Sequence, residues 1–286
     1  MVSIIVSSYD KDLFFKFENS LKSSIGVPYQ LIKIDNPNKY SLSKAYNLGG
    51  EEARFNILVF VHEDVVFATE NWGMILCQLF EQNEKLGIVG VAGSLKKSCL
   101  PTGWGTGTAK YDRINLIQAN EAHEEIHSTR KGNQSFEPVK VLDGVFLATT
   151  KKIWETLRFD ESLLGFHVYD IDFSLRVTQS YLGLITYEIL LKHFSMGNYN
   201  SSWVEKTLAY HKRKDKALLF DREKSFDSNI RRAWFKALTS GSIENAHRQE
   251  YLKEMGFDLL SAIHAFSFRF PAIGRKIFKC LSLFGL

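Results

Sequence analysis

Four short apolar runs, separated by segments of helical spacing, constrain the fold of this chain more than any other feature. VSIIVS (2–7), YQLIKID (29–35), NILVFVH (56–62) and LGIVGVAG (86–93) are rich in β-branched residues and almost free of charge. Between them, Leu13, Phe14, Phe17 and Leu21 recur at helical spacing. SLSKAYNLGGEEA reads as a second helix broken at Gly49-Gly50, and NWGMILCQLFEQNEK as a third. Strands apolar on both faces, alternating with amphipathic helices, make βαβ units whose sheet is covered on both sides. The expected class is α/β, a Rossmann-like, mostly parallel mixed sheet flanked by helices.

The pattern dissolves after Gly93. Residues 94–138 are polar and Gly-rich, including PTGWGTGTAKYD, and read as a long functional loop or lid. Order returns with VKVLDGVFLATT (139–150), a strand interrupted at Asp143-Gly144, and a short helix from Lys151. A helix over YDIDFSLRVTQS and a strand over LGLITYEILLKHFS follow, and from Trp203 onward the chain reads as almost entirely helical. The expected division is an α/β body over 1–199 and a helical C-terminal region over 200–286.

Charge and cysteine usage narrow the function classes. The chain of 286 residues carries a net charge of +4, but residues from Asn200 onward hold 16 Lys and Arg against 9 Asp and Glu, whereas the first 199 are slightly acidic. An acidic body and basic residues without aromatic interleaving give no basis for nucleic-acid reading. Cys77, Cys99 and Cys280 form no CxxC pair, which argues against a disulfide scaffold or a Cys-built zinc site and fits a reducing compartment. MVSIIVSSYDKD lacks the basic flank and cleavage site of a signal peptide, and no run approaches the roughly 18 apolar residues of a membrane span. The expected location is the cytoplasm.

The ionisable residues fall at strand ends. The first strand ends in Ser7-Ser8-Tyr9-Asp10, the second in Asp35-Asn36, the third in His62-Glu63-Asp64, and a later strand delivers His193. In doubly wound sheets ligands sit outside the carboxyl ends of strands, so these groups are candidates for one rim. An imidazole and a carboxylate two residues apart can both reach one divalent ion, although His62-x-Asp64 alone reads equally well as a capped strand end. His123-Glu124-Glu125-Ile126-His127 fits HExxH, but it lies in the most polar stretch of the chain and reads as a solvated loop or short surface helix rather than a zinc site.

Over 1–199 the chain resembles the GT-A family 2 glycosyltransferases, and within them the small branch similar to the streptomycin-biosynthesis-type transferases. VSIIVSSYD is similar to the family's first strand, SLSKAYNLGGEEARFNILVFVHEDV to the segment ending in its DxD site, LDGVFLAT to its acceptor-side strand, RFDESLLGFHVYDIDFSLRV to its FDE…ED segment, and HFSMGN to its closing His segment. The resemblance implies an inverting, metal-dependent glycosyltransferase of hexosyl or N-acetylhexosaminyl type. It places Ser7, Tyr9, Asp35, Asn47, Glu63 and Asp143 on the nucleotide sugar, His62, Asp64 and His193 on Mn²⁺ or Mg²⁺, Asp170 as catalytic base, and Trp104 and Tyr169 on the acceptor. The implied partners are a nucleotide-diphospho-sugar donor, UDP-sugar favoured, and a glycan or lipid-linked acceptor in polysaccharide or glycoconjugate assembly. Two residues depart from the pattern: His62 stands where most of the family has Asp, and Tyr169 where a Glu usually precedes the base. The alternatives are a non-catalytic nucleotide-sugar-binding protein and a sugar-phosphate nucleotidyltransferase, although VSSYDKDLFF lacks the Gly-rich basic phosphate loop the latter needs.

The residues add their own expectations. Asp170 opens a helix, whose positive end should hold it ionised, while Asp172 suits a purely structural first-turn role. Trp104, flanked by glycines, could close over an acceptor sugar or anchor its loop to the core. AFSFRFPAIGRKIFKCLSLFGL mixes aromatics with Arg269, Arg275, Lys276 and Lys279, as expected of a core-closing or homodimer-forming end, or of one resting on the inner face of a membrane.

Overall fold

The computed structural model describes residues 1–256, except 121, 122, 196, 198, 224, 225, 232 and 235–242. The C-terminal expectations on 265–286 lie outside the described residues. The chain begins with β1 (Val2–Ser8), α1 (Lys11–Ser24), β2 (Tyr29–Asp35), α2 (Leu42–Glu52), β3 (Ile57–His62), β4 (Val65–Phe67) and α3 (Trp72–Gln82). It continues through β5 (Leu86–Gly90), β6 (Ala92–Ser94), β7 (Asp112–Ala119), β8 (Glu124–Ser128), β9 (Phe136–Pro138), β10 (Val141–Leu142) and β11 (Phe146–Thr150). Then come α4 (Lys151–Leu157), α5 (Tyr169–Val177), β12 (Leu182–Thr186), β13 (Leu191–His193), α6 (Ser201–His211), a 3₁₀ turn at Lys214–Leu219 and α7 (Asn245–Glu254).

A seven-stranded sheet in the order β2-β1-β3-β11-β5-β12-β9 forms the centre. β1 runs parallel to β2 and β3, and β12 parallel to β5, while β11 is antiparallel to both its neighbours. Strand alternation splits the core in two. Val2, Ile4 and Val6 pack with Phe17 and Leu21 of α1 and Trp72 and Leu76 of α3, whereas Ile5, Leu58 and Phe60 pack with Tyr46 of α2, Trp154 of α4 and Phe173 of α5. Helices on both faces account for strands without a polar side. Truncating a fully buried member such as Phe60 would cost about 3–5 kcal/mol.

Gly49 and Gly50 do not break α2. A Cβ at Gly49 would lie 2.3 Å from Ile5 Cγ2, and one at Gly50 2.3 Å from Trp154 Cζ2, so these glycines let α2 lie close against β1 and α4. The packing gained outweighs the roughly 1 kcal/mol that a helical glycine costs.

Two sequence expectations change more. The segment 94–138 contains β7, β8 and β9, and β7 joins a second, six-stranded sheet in the order β10-β6-β7-β13-β4, with β8 paired to β7. β8 is polar because it is an exposed edge, a pattern that reads as loop. The single strand expected over 182–195 is split at an exposed corner near Glu188, β12 staying in the central sheet and β13 entering the second. That crossing brings His193 beside the end of β3.

The residues beyond 200 pack onto the rim of this body. Trp203, Val204, Leu208, Phe226, Ile230 and Trp234 share a cluster with Leu100 and Tyr111, and Tyr210, Leu219 and Phe220 share another with Val141, Ile171 and Leu175.

Candidate functional site

The end of β1 is fixed from below by Glu63. Its buried carboxylate accepts the Tyr9 N–H (3.0 Å) and the Asp10 N–H (3.2 Å), and Asp10 caps α1 by accepting from Asp12 and Leu13. The Ser7 hydroxyl accepts from Asn36 Nδ2 at 3.1 Å. Asn47 is also inward: Nδ2 donates to the Phe159 carbonyl and Glu161, both at 2.9 Å, and Oδ1 accepts the Phe159 N–H at 3.0 Å. Glu63 and Asn47, expected on the nucleotide, therefore brace the backbone of the site, because a buried polar group must find partners and these are the nearest. Tyr9 is exposed at the rim, and exposed Asp35 pairs with Lys33 at 2.8 Å, which holds its carboxyl below the ordinary range.

His62 ends β3, Asp64 follows in the turn into β4, and His193 ends β13, whose register sets it opposite Val65. One ligand atom from each of His62, Asp64 and His193 lies within 4.8 Å of the others. His62 Nδ1 is 3.9 Å from Asp64 Oδ1, and His193 Nε2 is 3.6 Å from Asp64 Oδ2. Neither separation is a hydrogen bond, and Asp64 Oδ1 and His193 Nε2 are buried without a hydrogen-bonding partner. Leaving each so costs about 1–3 kcal/mol. Two imidazoles and a carboxylate converging with orphaned lone pairs fit a divalent cation. Burial also holds the His193 imidazole below its ordinary value, favouring the neutral form that can ligate.

Asp170 sits in the first turn of α5, entered through Val168 at φ 61°. A β-branched residue in the left-handed region costs on the order of 1–3 kcal/mol, and it stands where the chain turns Tyr169 and Asp170 toward the cavity. Asp170 Oδ2 accepts the Gly144 N–H at 3.0 Å. Its pKa is pushed up to about 7, by burial first and by the neighbouring Asp143 second, with backbone N–H groups opposing. The helix end does not hold Asp170 firmly ionised, because removal from water and a like charge outweigh it.

These groups open on a cavity of about 410 Å³ lined by His62, His193, Asp143, Tyr169 and Asp170 on one side. Trp104, Phe166, Tyr199, Trp203 and Trp234 line much of the rest. The glycine-rich segment around Trp104 is clamped rather than free to close. Asp112 accepts from Thr106 N (2.8 Å), Thr106 Oγ1 (2.9 Å) and Thr108 N (3.2 Å), and Trp234 Nε1 donates to the Gly105 carbonyl at 3.0 Å. Gly107, at φ +71°, leaves room for Ala233, whose Cβ would lie 2.6 Å from an added one. Trp104 both lines the cavity and packs against the core. Tyr199, Trp203 and Trp234 stack edge-on and face-on within 5.0–5.5 Å. Sequence reasoning missed Asp112, Phe166, Tyr199, Trp203 and Trp234. Aromatic character is the one local signal carried by the last four, and Trp234 reaches Gly105 across 129 residues, whereas Asp112 binds its near neighbours Thr106 and Thr108 and reads in sequence as an ordinary loop acid.

His123 and His127 stand apart from all this. His127 lies on the edge strand β8, and His123 immediately precedes it. Four residues of extended chain set the two about 13 Å apart, where an α-helix would place them one turn apart for a shared ion.

Most of this chain, residues 3–222, matches the model of a glycosyltransferase-like family, and the chain belongs to that family. No curated protein matches the sequence. Among solved structures, S. aureus TarS 1–349 in complex with UDP superposes with a TM-score of 0.51 at 10% identity, covering 92% of this chain and 80% of that one. The mannosyltransferase PcManGT from Pyrobaculum calidifontis, in complex with GDP-Man and Mn²⁺, gives 0.49 at 11% identity, with 99% and 79% covered. GalNAc-T7 with UDP, GalNAc and Mn²⁺ gives 0.48 at 9% identity, with 68% of this chain covered, and the chain spans 44% of the length of GalNAc-T7. The likeness to TarS is one of fold, and the fold is GT-A.

Proposed function

We propose that this protein is an inverting, metal-dependent glycosyltransferase that moves a hexosyl or N-acetylhexosaminyl group from a nucleotide-diphospho-sugar to a hydroxyl of a glycan or lipid-linked acceptor. The observation that carries this reading is that the Asp170 carboxylate shares one cavity with His62 and His193, which form a three-residue cation cluster with Asp64. Asp170 takes the proton of the acceptor hydroxyl as its oxygen attacks the anomeric carbon and the bond to the diphosphate breaks. A base with a pKa of about 7 is matched to proton transfer near neutral pH. A bound Mn²⁺ or Mg²⁺ would neutralise the charge that develops on the leaving diphosphate. The backbone N–H of Gly144 keeps Asp170 aimed.

Tyr9 and Asp35, exposed beside β1 and β2, are the rim groups left to contact the nucleotide, and Asp143 lines the cavity with Asp170. A uridine diphosphate donor is favoured on the shared fold with TarS, which was solved with UDP. Trp104, with Phe166 and Tyr199, offers apolar faces on which an acceptor sugar can stack. Within the family, His62 in place of an acid supports kinship with the streptomycin-biosynthesis-type branch. No described helix is long and apolar enough to cross a membrane, and we place the reaction in the cytoplasm, in polysaccharide or glycoconjugate assembly. The test is release of nucleotide from a panel of UDP- and GDP-sugars with Mn²⁺ and candidate acceptors. Metal-dependent release that accelerates with an acceptor supports the reading, and nucleotide binding without turnover of any donor sinks it.

A further inference from the structure

We propose that Tyr169 is a positioning residue of the cation site, its hydroxyl holding His62 in the tautomer that turns Nδ1 toward the metal. This inference rests on the reading of His62, Asp64 and His193 as a cation site. Tyr169 was expected to touch the acceptor, but only 4% of its surface is exposed. Its hydroxyl is instead 2.8 Å from His62 Nε2. With Nε2 engaged, Nδ1 is the nitrogen left on the side of Asp64, 3.9 Å from Oδ1.

The tautomer follows from proton counting. A neutral imidazole carries one N–H, and the nitrogen that ligates must be bare. If Nδ1 binds the ion, the proton sits on Nε2 and is donated to the Tyr169 oxygen. Without that partner the ring can rotate, or carry its proton on Nδ1, and each state that does so must be reversed before the ion binds. Outer partners of this type hold ligating histidines throughout metalloprotein chemistry, and removing one weakens binding about 10–100-fold.

The surroundings make Tyr169 rigid enough for the task. Its ring lies against Tyr46 and Phe159, with centroids 5.6 and 6.1 Å away. The hydroxyl passes so close to Gly144 that an added Cβ there would be 1.9 Å from it. The same glycine donates its N–H to Asp170, so one residue leaves room for the tyrosine and orients the base. A phenol also brings no formal charge. With a single carboxylate among the ligands, a bound divalent ion keeps net positive charge for a diphosphate, which an acid partnering His62 would reduce.

The variant Tyr169→Phe keeps the ring and removes only the oxygen. Manganese titration read by electron paramagnetic resonance should show Mn²⁺ affinity falling about tenfold or more. Pulsed spectra should lose one of the two imidazole ¹⁴N couplings of the wild type, while the melting temperature without metal and metal-free nucleotide affinity stay close to wild type. An unchanged Mn²⁺ affinity with both couplings retained overturns the role of Tyr169 and leaves the cation site standing. Wild-type protein that binds no Mn²⁺ sinks both. Should the variant fail to fold, long-range ¹⁵N–¹H spectra of the metal-free wild type decide the matter. A His62 proton on Nε2 supports the proposal, and one on Nδ1 overturns it.

Discussion

The two sides of helix α5 treat a carboxylate in opposite ways. Asp170 faces the cavity, with Asp143 as its charged neighbour, and its pKa rises to about 7. Asp172, two residues on, is fully buried against the C-terminal helices, with Lys216 Nζ and Arg176 Nε each at 2.7 Å and the Tyr210 hydroxyl at 3.2 Å. Both acids share the first turn of one helix, so the dipole acts on both alike. What differs is the company. A buried carboxylate surrounded by cations is a structural joint, whereas one left with a like charge holds a mobile proton. The comparison can be broken most directly at Asp170. Asp170→Asn should lower kcat by about 10³-fold, within the 10²–10⁴ range of a positioned base. Metal-dependent nucleotide binding should persist in a thermal-shift or calorimetric titration. Activity surviving the change would remove Asp170 as base.

The pH dependence carries the same contrast. The base acts ionised, so kcat/KM should rise with pH and level off above about 7, and Asp170→Asn should lose that limb. The stability sign is the reverse. The folded state holds the Asp170 proton to about 7, whereas the unfolded chain releases it near the ordinary 3.8, so this group lowers stability as pH rises between the two values. Asp170→Asn should therefore melt no lower than wild type at pH 7.5. Asp172→Ala should do the opposite, leaving Lys216, only 9% exposed in its side chain, without its closest partner. A loss of about 3–5 kcal/mol is expected from breaking a buried pair on one side. Denaturant unfolding measures it, and a loss under about 1 kcal/mol would show that the joint does not hold α5.

Most of the central sheet could be read from sequence because its strands other than the exposed edge β9 are local runs rich in apolar residues, as with Ile57–Val61, and the helices between them carry their own spacing. The rim positions of His62, Asp64 and His193 followed from strand ends, and their convergence needed only the GT-A topology. That Asn47 and Glu63 bond backbone is not legible in sequence, because a polar residue near a site looks the same there whether it faces ligand or backbone. Asn47 is claimed by Phe159, 112 residues away. The aromatic wall failed for the same reason, since nothing near Trp234 in sequence points to Gly105. The polar edge strand β8 was invisible because an edge exposed to water needs no alternating pattern to be stable when β7 pairs with it. The signals lost were all tertiary.

The smallest expected effect tests whether solvent, rather than charge pairing as such, separates the two regions. Lys212 bridges α6 to α7 through Glu250 at 3.0 Å and Glu254 at 3.2 Å, geometry about as good as that around Asp172. Its side chain is 49% exposed, against none for Asp172. In water each ion keeps most of its hydration, so pairing gains little and long side chains lose rotamer freedom. Lys212→Ala should cost less than about 1 kcal/mol, and the difference should shrink as salt is raised from 50 mM to about 1 M, where screening acts within about 3 Å. The loss at Asp172 should hardly respond to salt, because its partners are shielded from it. A Lys212 cost equal to that of Asp172, or one insensitive to salt, would mean that burial is not what distinguishes the joint from the surface. The same logic assigning Asp170 its raised pKa would then need a different cause.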